Sequence, residues 1–324
     1  MEDYPRTTPE FEDRFSDEED CRAWLVSVRW PAGFRCPHCQ GSRAVIVRGT
    51  LFQCCDCRRQ TSATAGTIFQ DTRYPLVTWF RAMWHVTNQK NGASALDLQR
   101  ELGLSSYQTA WTWLHKLRRA MVRPDRDRLR GWVEVDETVL GGLEDRGTGR
   151  QTASTTLVVI AAEADGPDIG RIRMRMIADA SAESLHAFVR DCIEPGSTIH
   201  TDSWRGYAGL ETKGYQREIT ASRGRRKKAS GLLPRVKQIA SLLKQWRLGN
   251  HRGAVALQHL PYYLDEFTFR FNLRKSKSPG RLFFRLMQQA VSGPPVTYAT
   301  MVAGSGPATQ SVGRAKSEGY PPQS

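Results

Sequence analysis

The segment Trp132-Val-Glu-Val-Asp-Glu-Thr-Val139 sets acids inside a strand pattern. Apolar residues alternate with polar ones at the period of a pleated strand, and Glu134 shares the pleat parity of Asp136, so the two face the same side. Two more strands follow, Thr155-Thr-Leu-Val-Val-Ile-Ala161 and Arg171-Ile-Arg-Met-Arg-Met-Ile177. Next come a helix near Ala182–Cys192, a turn at Pro195-Gly196 and a fourth strand, Ser197-Thr-Ile-His-Thr-Asp202, in which His200 stands to Asp202 as Glu134 does to Asp136. The order β-β-β-α-β, then helices, predicts an α/β arrangement around a mixed sheet. An acid where an apolar strand ends is costly unless a metal or a partner holds it. Two strand-borne aspartates converging on one Mg²⁺ or Mn²⁺ site are what in-line phosphoryl transfer uses. On spacing alone, Asp136 and Asp202 also fit ordinary strand-end acids.

Upstream, five of the seven cysteines fall between residues 36 and 57, as Cys36-Pro-His-Cys39 and Cys54-Cys55-Asp-Cys57. Each CxxC turn presents two thiolates to one side, and two such turns close a tetrahedron on Zn²⁺. Between them Ala44-Val-Ile-Val47 and Leu51-Phe-Gln53 read as short strands around Arg48-Gly49. Cys36, Cys39, Cys54 and Cys57 are the expected ligands of a structural zinc, since four protein ligands leave no open position. Cys55 points away, His38 lies inside the first turn, and Cys21 and Cys192 sit in apolar-periodic contexts as core residues.

Ser16-Asp-Glu-Glu19 forms a capping box that predicts a helix from 17 to about 28. Pro75 opens another helix, in which Trp79, Phe80, Met83 and Trp84 make a core face, and Asn91-Gly92 closes it. Ser94–Leu102 is amphipathic, Gly103-Leu104-Ser105 turns, and Ser105 with Gln108 caps a second helix from Tyr107 to Met121. This is the outline of a helix-turn-helix. The second helix offers Gln108, Thr109, Thr112, Lys116, Arg118 and Arg119 as polar or basic contacts, opposite Trp111, Leu114 and Leu117. Pro124 and the charged run 125–130 read as a linker, and residues 292–324, rich in Gly, Pro and Ser, as disordered.

The composition narrows the partners. The 324 residues carry 47 Lys and Arg against 33 Asp and Glu, a formal net charge of +14, which favours a polyanion such as nucleic acid. Residues 1–20 hold nine acids, whereas none lies between Glu218 and Asp265, where Arg223, Arg225, Arg226, Lys227 and Lys228 form a block suited to a phosphate backbone. No apolar run approaches the ~20 residues that span a bilayer. The acidic N-terminus lacks a signal-peptide core, so an intracellular location is expected.

Several stretches in fixed order resemble the zinc-ribbon DDE transposases of bacterial insertion sequences, of the ISXO2-like or IS1595 type. They are Arg29–Cys39, Gln60–Phe69, Tyr107–Trp111, Val135–Gly142, His200–Tyr207, Ser241–Lys244 and Tyr263–Asn272. The resemblance covers about residues 10–290. It implies a multi-domain chain, with an N-terminal helix and zinc ribbon (10–70), an all-α helix-turn-helix DNA-binding region (71–123), an RNase H-like α/β catalytic domain with a mixed sheet (131–290) and a disordered tail (291–324). It also implies metal-dependent strand cleavage and transfer at terminal inverted repeats, with Mg²⁺ or Mn²⁺ as catalytic ions. The implied partners are double-stranded transposon ends and target DNA, in a homodimer or larger synaptic complex near the bacterial nucleoid.

Carried over residue by residue, Asp136 and Asp202 match the first two catalytic positions, and Lys244 matches a lysine seven residues after the third. The third position, Glu in the family or Asn or His in some branches, is Lys237 here. A charged ammonium has no lone pair for Mg²⁺. Three accounts follow: a decayed copy that only binds DNA; a third ligand from water or from Glu134 or His200; or Lys237 as a phosphate-neutralising charge beside two metal-holding aspartates.

Overall fold

A computed structural model describes residues 3–89, 92–122, 126–141, 155–220, 233–251, 257–276 and 278–296. The chain opens with helices α1 (Thr8–Arg14) and α2 (Glu18–Arg29). Asp17, not Ser16, caps α2, its carboxylate accepting from the N–H groups of Glu19 and Asp20. A small antiparallel sheet follows, from β1 (Ala44–Val47), β2 (Leu51–Cys54) and β3 (Gln60–Ser62).

Helices α3 (Leu76–Asn88), α4 (Ala95–Leu102) and α5 (Tyr107–Ala120) come next. A reciprocal Ser94–Asp97 capping box starts α4, and Gly103 ends it in the left-handed conformation (φ 61°). The cap of α5 is Ser106 rather than Ser105, because it is the Ser106 hydroxyl that accepts from the N–H of Gln108. Helix α3 ends at Asn88, three residues before the expected Asn91-Gly92 stop.

The larger sheet holds five strands in the order β6-β5-β4-β7-β8, from β4 (Trp132–Leu140), β5 (Thr156–Asp165), β6 (Asp168–Ile177), β7 (Thr198–Thr201) and β8 (Gln216–Ile219). The first three form an antiparallel meander. Helix α6 (Ala182–Cys192) then carries the chain across to β7, which joins β4 in parallel, and β8 joins β7 in parallel. This is the mixed sheet the sequence predicts, and β8 is a strand its pattern does not reveal. Helix α6 covers one face, packing Leu185, Phe188 and Val189 on Val133, Val135, Val159 and Ala161. Helices α7 (Pro234–His251) and α8 (Leu260–Asn272) cover the other, packing Val236, Ile239, Leu243 and Leu264 on Val158, Ile160 and Ala162.

The last helix, α9 (Pro279–Ser292), departs from the expected division of the chain. Its sequence position predicts that it closes the domain of the larger sheet. Its Phe283, Phe284, Leu286 and Met287 instead join the buried core of α1–α5, where Phe283 stacks on Trp24 with centroids 5.4 Å apart. The expected aromatic face of α3 lies in the same core, and Trp79 stacks on Trp113 of α5 at 3.7 Å.

Candidate functional site

The four cysteines come from two backbone turns of the same build. In the first, the Cys36 N–H reaches the Gly41 carbonyl and the Gln40 N–H returns to the Cys36 carbonyl; in the second, Cys54, Arg59 and Arg58 repeat this pattern. Gln40 and Arg58 both take φ 62°, which lets each turn fold back. The Sγ atoms of Cys36, Cys39, Cys54 and Cys57 all lie within 4.8 Å of one another, with Cys36–Cys57 at 3.6 Å and Cys39–Cys54 at 3.5 Å. Thiolates ~2.3 Å from a tetrahedral Zn²⁺ stand at about this separation. Cys55 is exposed, and Cys21 and Cys192 are buried.

The acidic site is built by the sheet. Glu134 pairs with His200 across parallel strands β4 and β7, so continuing the register by two residues brings Asp136 beside Asp202. The pleat turns Glu134 and Asp136 toward α7. A cavity of 380 Å³ separates that face from the helix; Asp136, Glu137, Lys237, Ser241 and Lys244 are among its lining residues. Lys237, Ser241 and Lys244 lie at i, i+4 and i+7, one face of α7.

Burial pushes the Asp136 carboxyl above its ordinary range; the N–H of Glu137, donating to Asp136 Oδ1 at 2.9 Å, opposes this. The Asp202 charge raises Asp136 further and Lys237 lowers it. Glu137 is also pushed up by burial, against the pull of the Tyr207 hydroxyl that donates to its Oε2. Asp202 Oδ1 accepts the N–H of Trp204 at 2.9 Å.

Glu134 and His200, weighed as a third ligand, are engaged elsewhere. Glu134 is fully buried and accepts from the N–H groups of Arg235 and Val236 and from the Arg235 guanidinium. His200 meets the Thr220 hydroxyl and packs on Trp132. Lys237 is half-buried and Lys244 exposed.

In the helix-turn-helix, Gln108 is exposed at the start of α5, and Thr109, Thr112 and Lys116 are half-buried; the Thr112 hydroxyl donates to the Gln108 carbonyl. Arg118, a surface contact by the sequence pattern, is instead 2% exposed and donates to Glu266 Oε2 of α8 at 2.7 Å. The helical pattern put it beside Arg119 on a polar face, whereas α8 covers that position. The basic run Arg223–Lys228 lies outside the described residues. Glu137 and Tyr207 are not among the residues the sequence pattern picks out, although adjacent acids at 136 and 137 are a signal, since they must point to opposite faces of β4.

Two family models match the two parts of the chain that hold the cysteine cluster and the larger sheet. Residues 128–272 match the family model of the ISXO2-like transposase domain, and residues 16–60 that of the transposase zinc-ribbon domain. An uncharacterised protein in transposable element ISH50 of Halobacterium salinarum is 28% identical over 280 residues, covering 79% of this chain and 91% of that protein. Among solved structures, a simian T-cell lymphotropic virus intasome in complex with PP2A regulatory subunit B56 gamma aligns at 15% identity and TM-score 0.31, over 59% of this chain and 70% of that one. The Mos1 transposase paired-end complex with left transposon end aligns at 11% identity and TM-score 0.28, over 68% and 76% of the two chains. Likenesses that distant decide nothing about this chain.

Proposed function

As a chain that belongs, through its zinc ribbon and its sheet domain, to the ISXO2-like zinc-ribbon transposases, this protein has a function we propose in detail: it binds the terminal inverted repeats of its insertion sequence and catalyses their metal-dependent cleavage and joining. The observation that carries the reading is the placement of Asp136 on β4 next to Asp202, which directly follows the parallel strand β7, with Lys237 and Lys244 of α7 lining one cavity with Asp136.

The donor set fits hard divalent cations. Mg²⁺ is commonly held by one or two carboxylates, with waters and substrate phosphate completing its shell, so Asp136 and Asp202 suffice as protein ligands. When bound, such ions supply an activated oxygen nucleophile and stabilise the leaving oxygen. The chain's own part is to place charge. The Glu137 N–H, donating to Asp136 Oδ1, orients that carboxylate near Asp202. Lys237 and Lys244, one turn apart from Ser241 on either side, face the region where a phosphodiester would lie and offset its negative charge. Gln108, Thr109, Thr112 and Lys116 on α5 would contact the end sequence, and the Arg223–Lys228 block the DNA backbone.

Lys237 itself favours one second reading, a decayed copy that binds the ends without cutting them. Incubating the full protein with duplexes of its own ends and Mg²⁺, then Mn²⁺, separates the two. Nicking at the 3′ ends supports the active reading, and binding without nicking supports the decayed one.

A further inference from the structure

Asp202 leads into a turn that is braced more heavily than a surface loop requires. The Trp204 N–H donates to Asp202 Oδ1 at 2.9 Å, and its indole N–H to the Ala180 carbonyl at 2.8 Å. The Arg217 guanidinium, from β8, donates to the carbonyls of both Asp202 and Trp204 at 3.3 Å and to the Thr201 hydroxyl at 3.2 Å. Gly206 makes room for this packing, since a Cβ there would stand 2.7 Å from the indole nitrogen and 2.5 Å from the Ala180 oxygen. Yet Trp204, held in this frame, is 49% exposed. It lines a cavity of 880 Å³ together with apolar Val139, Leu157 and Ile177 and with polar Thr156, Asp202 and Glu137. A rigid, half-exposed tryptophan costs hydrophobic exposure that packing elsewhere would have removed.

We propose that this cavity receives an unpaired nucleobase drawn out of the DNA duplex beside the phosphodiester held at Asp136 and Asp202, with Trp204 as its stacking platform. The inference rests on the reading of those aspartates as the catalytic pair. A base stays within one nucleotide of its own phosphate, and the cavity shares Asp202 and Glu137 with the site where that phosphate would be held. An indole fixed in advance by hydrogen bonds stacks a base without the cost of ordering a mobile side chain. The apolar walls accept a flat π-face, and the polar lining atoms can meet the pairing edge that extrusion leaves open.

The test uses the full-length protein and duplexes of its own ends, with 2-aminopurine placed in turn at each position around the cleaved bond, in Ca²⁺. One position should change its emission strongly on binding wild-type protein. At that position Trp204→Ala should give brighter emission, because the base leaves the duplex stack without meeting the quenching indole, and Trp204→Phe should fall between. Trp204→Ala should also slow cleavage roughly 5- to 150-fold, the range of one base–aromatic stack. An abasic site at that position should restore much of the loss. Zinc content and thermal unfolding of both variants confirm that they fold. If the ends are bound and cut but no position changes its emission, or wild type and Trp204→Ala give the same profile, the base pocket is wrong while the reading of the aspartates stands. If the ends are not bound at all, both fall.

Discussion

Glu134 and Arg235 meet twice: the Glu134 carboxylate accepts the backbone N–H of Arg235 at 2.7 Å and its guanidinium at 3.1 Å, and it also takes the N–H of Val236 at 3.0 Å. The central strand thus caps the first turn of α7 from inside the core. Amides at a helix start lack intrahelical partners, and a carboxylate there is further favoured by the helix dipole. Two residues along the same strand stands Asp136, and two along the same helix Lys237. The pair therefore fixes how Lys237 and Lys244 face the acidic site.

Glu134→Ala should leave those amides and the guanidinium without their buried acceptor. A loss of about 3–5 kcal/mol in urea unfolding is expected, as for other broken buried pairs. Glu134→Gln, which keeps one acceptor, should recover part of the stability. Equal stability of wild type and Glu134→Ala would show that α7 is held by its apolar face alone.

The zinc ribbon should depend on its four thiolates together. Cys36→Ser should release zinc from the purified protein and weaken binding to the ends, because structural zinc contributes directly to folding. Cys55→Ser should retain full metal content. Loss of zinc from Cys55→Ser but not from Cys36→Ser would reassign the ligands.

A second buried ion cluster joins α3 and α5 to α8, the helix that packs on the five-stranded sheet. Glu266 of α8 holds Arg118 of α5 at 2.7 Å and Arg270 at 2.9 Å, and Arg270 reaches the Val86 and Gln89 carbonyls at the end of α3. The two arginines hold Glu266 down to about 2 against the opposing effect of its burial. Next to it His115 is fully buried against Trp111, His259 and Tyr262, and burial, with the nearby Arg118 charge, lowers it to about 3.

The pH dependence follows from these directions. The unfolded chain takes up a proton on His115 near 6.5, which the folded chain refuses until about 3. Stability therefore falls as pH drops through that window, by up to about 1.4 kcal/mol per pH unit. The Glu266 contribution is complete above its ordinary value of 4.5 and is lost as pH falls toward about 2. His115→Phe should flatten the unfolding profile between pH 6.5 and 4.5 and leave the steeper acid loss below it. An unchanged slope there would show that another group titrates.

The sequence made the sheet legible because its strands carry period-two patterns and its helices carry caps. Asp136 and Asp202 stand out as acids on apolar strands, but their spacing also fits ordinary strand-end acids and only the resemblance pairs them, whereas the cysteines stand out because CxxC spacing encodes a tetrahedron. Tertiary context hid the rest. Arg118 sits on what reads as a polar face until α8 covers it. Glu134 looked like a metal ligand because pleat parity gives the face but not which helix end arrives there. Short β8 has no pattern strong enough to stand out, and α9 lies far in sequence from the helices it packs against.

The most direct test compares cleavage of the protein's own transposon ends in Mg²⁺ by wild type, Asp136→Asn, Asp202→Asn and Lys237→Glu. The proposed account expects wild type to nick the 3′ ends and join them, and each aspartate variant to bind the ends without cutting. Cutting by either aspartate variant would contradict the site, and cutting by Lys237→Glu alone would make the chain a decayed transposase that binds DNA.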